Sequence, residues 1–191
     1  MKRILVVVDM QNDFITGSLG SDQSQAIVPR VVEKINEAHA AGDIVFTTRD
    51  QHGAGYMDTQ EGKKLPVEHC MIGEWGFELE PRVKDVILPD DDYGIEKPTF
   101  GSFDLVNTML AIEESTGHID EIEVCGLCTD ICVIANVVLL KTAFPETRIV
   151  VDPEACAGVT MESHYRALDA MQTLQVDILW PAENEENTTN G

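Results

Sequence analysis

The sequence predicts a single α/β domain: a doubly wound, Rossmann-like and mostly parallel sheet with helices on both faces. Three observations lead to this prediction. Short apolar runs, typical of strands buried on both faces, alternate with segments of helical periodicity. The 191 residues suffice for one sizeable core but are few for two domains. We find neither an internal repeat nor a linker, so we assign residues 1–180 to one domain.

The first half of the chain is predicted to contain a strand, a helix and a second strand, at residues 2–8, 24–41 and 44–48. Gly42 follows the helical pattern directly, which is a common stop signal. After the second strand, regular periodicity disappears over residues 53–81. An irregular insert of this length in a compact domain is usually functional, so we expect it to contribute to a site.

The second half is predicted to contain strands at residues 93–97, 122–124, 148–151 and 176–180, and helices at residues 103–115, after Thr129, and at residues 160–174. We expect Ser102 and Thr129 to cap the first two of these helices, and the chain to turn at Gly126. Residues 85–88 fit either a short strand or a helix end. Residues 181–191 are acidic and polar with no apolar face, which predicts a disordered tail.

Composition excludes several classes of function. The formal net charge is −21, from 34 acidic and 13 basic residues, so the chain repels nucleic acids and anionic membrane surfaces. No apolar run has the length of a membrane helix, and no secretion signal is evident. Five cysteines, an odd number, favour reduced thiols over a disulfide framework. We therefore expect a cytoplasmic protein.

Polar residues follow the predicted strands at their carboxyl ends: Asp9 after the first strand, Asp50 and His52 after the second, Lys97 after the third, and Cys132 after the fourth. In a doubly wound sheet the ligand site lies beyond these ends. Each residue alone has an ordinary structural explanation, such as a loop cap, a solvated lysine or a small buried thiol. Their convergence on one edge of the sheet predicts a catalytic site.

The residue types fit acyl transfer through a thioester. Cys132 is expected in the first turn of a helix, where unpaired N–H groups favour a thiolate nucleophile. Asp9 could accept the thiol proton and return it to a leaving amine, while Lys97 would stabilise the thiolate by its charge. The backbone N–H groups of Cys128 and Cys132 are candidates for an oxyanion hole.

A second cluster suggests a metal ion. Asp50 and His52 flank a single residue, and His69, from the irregular insert, could join them. Two imidazoles and a carboxylate suit Zn²⁺, with Mn²⁺ and Fe²⁺ as alternatives. For His69 alone, an ordinary loop histidine is the commoner explanation.

Five segments together resemble one protein family: VVVDMQNDF around Asp9, TRDQH around Asp50, LPVEHC around His69, EKPTFGSF around Lys97, and GLCTDICV around Cys132. In this order they resemble the isochorismatase-like cysteine hydrolase superfamily, specifically its nicotinamidase branch. The resemblance covers nearly the whole chain, from Ile4 to about Trp180. It implies that Asp9, Lys97 and Cys132 form a catalytic triad. It also implies a cis peptide bond before Cys128, which directs the N–H groups of Cys128 and Cys132 toward the oxyanion.

The resemblance further implies that Asp50, His52 and His69 bind a metal, usually zinc, which in this branch binds the pyridine nitrogen of nicotinamide. Phe14 matches an aromatic residue that packs against the substrate ring. One feature departs from the pattern: relatives often have Trp three residues before the last metal histidine, where this chain has Pro66, preceded by Leu65.

We therefore expect Leu65 to contact the substrate, and Trp75 or Tyr56 to supply the missing aromatic wall. The expected reaction converts nicotinamide, or a close aromatic amide such as pyrazinamide, to the acid and ammonia. The departure leaves another small amide, or an isochorismatase-type substrate, as the alternative. Homo-oligomers are common in the resembled family, but no residue pattern here indicates a subunit interface.

Two hypotheses from other classes stay open. Cys125 and Cys128 form a C-x-x-C pair between a strand and a helix, which is compatible with a redox dithiol. The insert at residues 53–81 could instead bind a partner protein. We interpret Cys70 and Cys156 as packing residues. The remaining histidines are interpreted as solvated or capping groups: His39, His118 and His164.

Overall fold

Six strands form one sheet, and every pairing in it is parallel. The structure, a computed structural model, describes residues 1–89 and 92–181, so nearly all of the predicted tail lies outside the described residues. The strands are β1 (Arg3–Val8), β2 (Ile44–Asp50), β3 (Tyr93–Lys97), β4 (Glu121–Leu127), β5 (Arg148–Ala157) and β6 (Asp177–Ile178). Their order in the sheet is β3-β2-β1-β4-β5-β6. The order reverses between β1 and β4, which is where doubly wound sheets bind ligands.

The helices are α1 (Asn12–Ile15), α2 (Asp22–Ala41), α3 (Gln60–Lys64), α4 (Pro81–Lys84), α5 (Phe103–Thr116), α6 (Ile134–Ala143) and α7 (Met161–Thr173). With right-handed crossovers, the reversal of strand order places α2 on one face of the sheet and α5, α6 and α7 on the other. None of the helices in the described part of the chain is long and apolar enough to cross a membrane. The predicted fold class is confirmed.

Local sequence explains the helix ends. Ser21 caps α2 by accepting a hydrogen bond from Ser24 N, and Gly42 ends the helix in the left-handed conformation. Ser102 caps α5 as predicted, accepting from Leu105 N. A reciprocal capping box opens α7. Residues 85–88, left undecided between a strand and a helix end, directly follow α4 as a turn without forming a strand.

The segment from β4 to α6 differs from the prediction. The chain does not turn at Gly126, because β4 continues to Leu127. Gly126 has a φ of 112°, and a Cβ there would lie 2.1 Å from the Val8 carbonyl oxygen, so only glycine allows β1 and β4 this close. A π-helical turn, Thr129–Val133, then precedes α6, and Thr129 does not cap it.

The insert at residues 53–81 is more ordered than predicted. It contains α3 and two short 3₁₀ turns, Tyr56–Asp58 and Trp75–Phe77. Isolated bridges join Gln11 to Leu79 and His52 to Met71. These contacts hold the insert over the carboxyl ends of β1 and β2, so that it forms part of the wall around the site.

Candidate active site

The carboxyl ends of four neighbouring strands bring the predicted catalytic residues together. Asp9 directly follows β1, Asp50 ends β2, Lys97 ends β3, and Cys132 lies in the π-helical turn after β4. Asp9 and Lys97 are buried, and Cys132 is 5% exposed. Because β1 and β4 are neighbours at the reversal of strand order, Asp9 and Cys132 face the same crevice.

Lys97 lies between the acid and the thiol. Its Nζ lies 2.6 Å from Asp9 Oδ2 and donates to Cys132 Sγ at 3.5 Å. Asp9 has a φ of 49°, a strained conformation for a residue with a side chain. Thr48 donates from Oγ1 to Asp9 Oδ1 at 2.6 Å, and the Thr48 carbonyl accepts from Asp9 N at 3.1 Å. These bonds orient the carboxylate toward the lysine and the cysteine.

Burial governs the protonation of the three groups. It raises the pKa of the Cys132 thiol well above its usual value, and the Asp9 carboxylate raises it further, while Lys97 lowers it. The net shift is opposite to the one that the sequence analysis expected, because burial and a neighbouring anion outweigh the lysine. Burial also raises the pKa of Asp9. Burial lowers the pKa of Lys97, but the carboxylates of Asp9 and Asp50 outweigh it, so the net shift is upward and the ammonium persists.

The turn that carries Cys132 begins at a cis peptide bond between Leu127 and Cys128, as the resemblance implies. The Cys128 carbonyl accepts from Ile131 N at 3.0 Å and from Val133 N at 3.1 Å. These bonds define the shape of the turn, so that Cys128 and Cys132 stand at its two ends. Burial raises the pKa of the Cys128 thiol to about 12, which leaves its backbone rather than its sulfur to contribute to chemistry.

Asn136 was missed by the sequence analysis. It is fully buried on α6. Its Nδ2 donates to the carbonyls of Cys132 at 2.8 Å and Phe100 at 3.2 Å, and its Oδ1 accepts from Ser102 N at 2.9 Å. It therefore ties Cys132, the predicted nucleophile, to the loop that follows Lys97. The spacing of four residues from Cys132 was its only sequence signal.

A cluster of potential metal ligands lies beside the cysteine. Asp50, His52, Glu61 and His69 each present one ligand atom, and these atoms all lie within 4.8 Å of one another. Glu61 was missed, because nothing in the sequence of the insert distinguishes it from a surface glutamate. Its Oε1 lies 3.7 Å from His52 Nε2 and 3.8 Å from His69 Nε2.

Hydrogen bonds around the cluster fit a metal site. The His69 ring donates from Nδ1 to the Val67 carbonyl at 2.8 Å, which leaves Nε2, 3.3 Å from Asp50 Oδ2, as the ring nitrogen available to a metal. His52 Nε2 is buried 3.0 Å from Asp50 Oδ2 but forms no well-aligned hydrogen bond in the described residues, and a metal would satisfy it. Burial raises the pKa of Asp50, but contacts with His52 and His69 and the charge of Lys97 lower it more, so Asp50 is an anion.

Gln11, which the sequence analysis also missed, is hydrogen-bonded to the strand end that carries this cluster. Its Oε1 accepts from Asp50 N at 2.7 Å, and its Nε2 donates to the carbonyls of Asp50 at 2.8 Å and Phe77 at 2.9 Å. The side chain is fully buried. It thereby holds the end of β2, where the predicted metal ligands begin, against the insert.

A cavity of about 330 Å³ opens between the cysteine and the ligand cluster. Its wall includes two of the predicted substrate-binding residues, Phe14 and Leu65, and also Phe100, which the sequence analysis did not single out. The Phe14 ring lies 5.6 Å from the His69 ring, edge to face. Trp75 does not line this cavity and is 60% exposed. A mostly apolar cavity with a thiol at one side and a cluster of potential metal ligands at another suits a small aromatic molecule.

Tyr56 and Cys125 do not have the roles that the sequence suggested for them. Tyr56 packs against the rings of His52 and His69 at 4.6 and 5.1 Å, so it supports the ligand cluster from outside the cavity. Cys125 is fully buried within β4, and its thiol is free. A dithiol with one sulfur sealed in the sheet has no route to a redox partner. Cys70 and Cys156 are buried packing residues, as predicted.

Residues 3–180 match the isochorismatase domain family. The chain is similar to the nicotinamidase/pyrazinamidase of Mycobacterium tuberculosis, with 28% identity over 93% of this chain and 98% of that protein. The crystal structure of nicotinamidase/pyrazinamidase PncA from Bacillus subtilis has a TM-score of 0.81 and 26% identity, covering 93% of this chain and 99% of that one. Pyrazinamidase of Pyrococcus horikoshii in complex with zinc has a TM-score of 0.79 and 26% identity, covering 95% and 100%.

Proposed function

Because this chain belongs to the isochorismatase domain family, we propose that it is an amide hydrolase that converts nicotinamide, or a close aromatic amide such as pyrazinamide, to the acid and ammonia. The observation that carries the proposal is the contact of Lys97 with both Asp9 and Cys132 beside the metal-ligand cluster. The relatives named nicotinamidase or pyrazinamidase support the choice of substrate.

The first half-reaction forms a thioester. Asp9 takes the proton of the Cys132 thiol, and the sulfur attacks the amide carbon as the carbonyl electron pair moves onto oxygen. The N–H groups of Cys128 and Cys132 donate to this oxyanion. As the pair returns, the carbon–nitrogen bond breaks, and Asp9 gives its proton to the nitrogen, which leaves as ammonia.

The second half-reaction reverses these roles. Asp9 takes a proton from water, whose oxygen attacks the thioester carbon, and the same N–H groups bind the new oxyanion. When the carbon–sulfur bond breaks, the acid is released and Asp9 returns the proton to Cys132. Lys97 stays protonated throughout, since its raised pKa keeps the ammonium beside the carboxylate and the sulfur.

The metal would be held by Asp50, His52, Glu61 and His69, a donor set that suits Zn²⁺, Mn²⁺ or Fe²⁺. When bound, such an ion supplies a Lewis acid for the lone pair of a pyridine or pyrazine nitrogen. Phe14 and Leu65 would then pack against the ring and exclude water. This division of labour requires an aromatic amide with a ring nitrogen, because that nitrogen and the amide are recognised separately.

The test is ammonia release from nicotinamide, pyrazinamide, benzamide and an aliphatic amide. We expect turnover of the first two, weak turnover of benzamide, which lacks the ring nitrogen, and loss of activity in Cys132→Ala. Cys156→Ala is the matched control, because Cys156 is also a buried cysteine but does not line the cavity. A wild-type protein inert toward both nitrogen heterocycles but active on the aliphatic amide would favour the alternative, another small amide. Normal turnover by Cys132→Ala would refute the thioester mechanism.

A further inference from the structure

A buried hydrogen bond joins the π-helical turn, Thr129–Val133, to α7. Thr129 Oγ1 lies 2.8 Å from His164 Nδ1. Thr129 is fully buried and His164 is 5% exposed, so the sequence-based interpretation of His164 as a solvated or capping group is wrong. Thr129 directly follows Cys128 in the chain, at the start of the π-helical turn that contains Cys132. The mechanism above does not use this pair.

The contacts within the turn do not determine where the turn sits. The Cys128 carbonyl and its two N–H donors fix only the local shape. Two side chains of the turn reach outward instead: Thr129 to His164, and Asp130, whose Oδ1 accepts from Val159 N at 3.1 Å. Val159 lines the substrate cavity. These two bonds therefore fix the position of the turn relative to α7 and to the loop before it.

The packing around His164 leaves it little freedom. A Cβ at Gly158 would lie 2.9 Å from both the Cβ and the backbone N of His164, so the loop and the helix are in close contact there. The Tyr165 ring lies 5.1 Å from the imidazole. Burial lowers the pKa of His164, which keeps the ring neutral at pH 7 and able to share one hydrogen with the Thr129 hydroxyl.

We propose that His164 is a positioning residue: through Thr129 it holds the backbone N–H groups of Cys128 and Cys132 where the oxyanion develops. The inference rests on the proposed amide hydrolysis. Donors of an oxyanion hole act mainly in the transition state, so their displacement lowers kcat while substrate binding persists. A displacement of about 1 Å in such a group can cost up to about a hundredfold in rate.

Two amide substitutions separate a positioning role from a packing role. His164→Asn places a polar atom where Nδ1 lies, whereas His164→Gln places its polar atoms about one bond farther out, near Nε2. We expect His164→Gln to lower kcat for nicotinamide by about ten- to a hundredfold with KM nearly unchanged. His164→Asn should retain most of the wild-type kcat. His118→Gln, at an exposed histidine bonded to Glu113, is the matched control.

Thr129 provides an independent pair of variants. Thr129→Ser keeps the hydroxyl and should keep kcat, while Thr129→Val keeps the shape and should lose kcat as His164→Gln does. The double variant Thr129→Val/His164→Gln should be no worse than either single variant, because both remove one interaction. All assays are run well below each variant's unfolding midpoint, measured by circular dichroism, so that the folded fraction is equal.

The outcomes separate the inference from the proposed function. If the wild type releases no ammonia from any amide, the proposed function fails and the positioning role fails with it. If the wild type is active and His164→Gln matches it, only the positioning role is refuted. Equal losses in His164→Asn and His164→Gln, or additive losses in the double variant, also refute it, since neither depends on the bond to Thr129.

Discussion

The ammonium of Lys97 lies 2.6 Å from the carboxylate of Asp9, and both side chains are sealed from solvent. In such surroundings each charge requires the other, because an unpaired buried charge costs several kcal/mol. The pair keeps a proton acceptor and a cation beside the Cys132 thiol without either being solvated. The thiol can therefore stay protonated at rest and lose its proton only during the reaction.

This arrangement predicts opposite effects of Asp9→Asn on thiol reactivity and on turnover. The Asp9 anion raises the pKa of Cys132, so its removal should lower the pH at which Cys132 becomes alkylated by iodoacetamide. Ammonia release should nevertheless fall at least about a hundredfold, because the proton acceptor is lost. Peptide mass spectrometry measures alkylation at Cys132, with Asp22→Asn on the exposed start of α2 as the control. An alkylation midpoint that moves upward would contradict the assigned geometry.

Glu61 is expected to bind the metal. Glu61→Gln keeps the size of the side chain but removes its charge, so metal affinity should fall about tenfold to a hundredfold. Competition with a chromophoric chelator measures this affinity, and Glu74→Gln, at an exposed residue of the insert, is the control. Unchanged affinity would mean that Glu61 only neighbours the site. His69→Ala should cause a larger loss, since it removes a ligand atom entirely.

The predicted contact with the substrate ring can be tested by comparing Phe14 and Trp75, two aromatic residues that the sequence analysis proposed for this role. Phe14 lines the cavity, whereas Trp75 is 60% exposed outside it. Phe14→Ala should raise KM for nicotinamide about tenfold, because an aromatic contact of about 1 kcal/mol is lost with its apolar area. Trp75→Ala should leave KM unchanged. A raised KM in Trp75→Ala would place that residue at the substrate after all.

Stability should depend on a buried ion pair far from the catalytic residues. Lys34 Nζ lies 2.8 Å from Asp152 Oδ2, and both side chains are 5% exposed. Burial raises the pKa of Asp152, but the hydrogen bond and charge of Lys34 lower it more, so the folded value lies below the unfolded one. The carboxylate therefore stabilises the fold above the unfolded pKa of about 4, and this contribution disappears as pH falls through the folded pKa.

Asp152→Asn should accordingly lower the free energy of unfolding by about 2 kcal/mol at pH 7, with the difference shrinking below about pH 4. The loss is limited because Lys34 keeps its second partner, Glu123, at 2.5 Å. Urea unfolding at several pH values measures it. Asp177→Asn removes an exposed partner of Arg148 and should cost less than about 1 kcal/mol. A loss for Asp152→Asn that stays constant into acid would show that the effect is not electrostatic.

The sequence predicted the fold well where the signal was local. The apolar run of β1, the helical spacing of α2 and the cap at Ser102 depend on neighbouring residues, and all three predictions are confirmed. The turn after β4 was predicted less well. Gly126 looks like a turn residue, but glycine is required there because the backbone of Val8, on the neighbouring strand β1, leaves no room for a Cβ. Thr129 looks like a cap, but its hydroxyl bonds to His164, 35 residues away.

The site shows the same division. The motifs place Asp9, Asp50, Lys97 and Cys132 at strand ends, and parallel strands bring such ends to one edge, so the sequence by itself determined which residues meet. Only the tertiary structure decided what their meeting does. The pKa of Cys132 depends on burial and on the anion beside it, and the fourth potential metal ligand, Glu61, comes from an insert without periodicity. Burial and contacts between distant segments of the chain depend on residues far apart in sequence, and no local pattern encodes them.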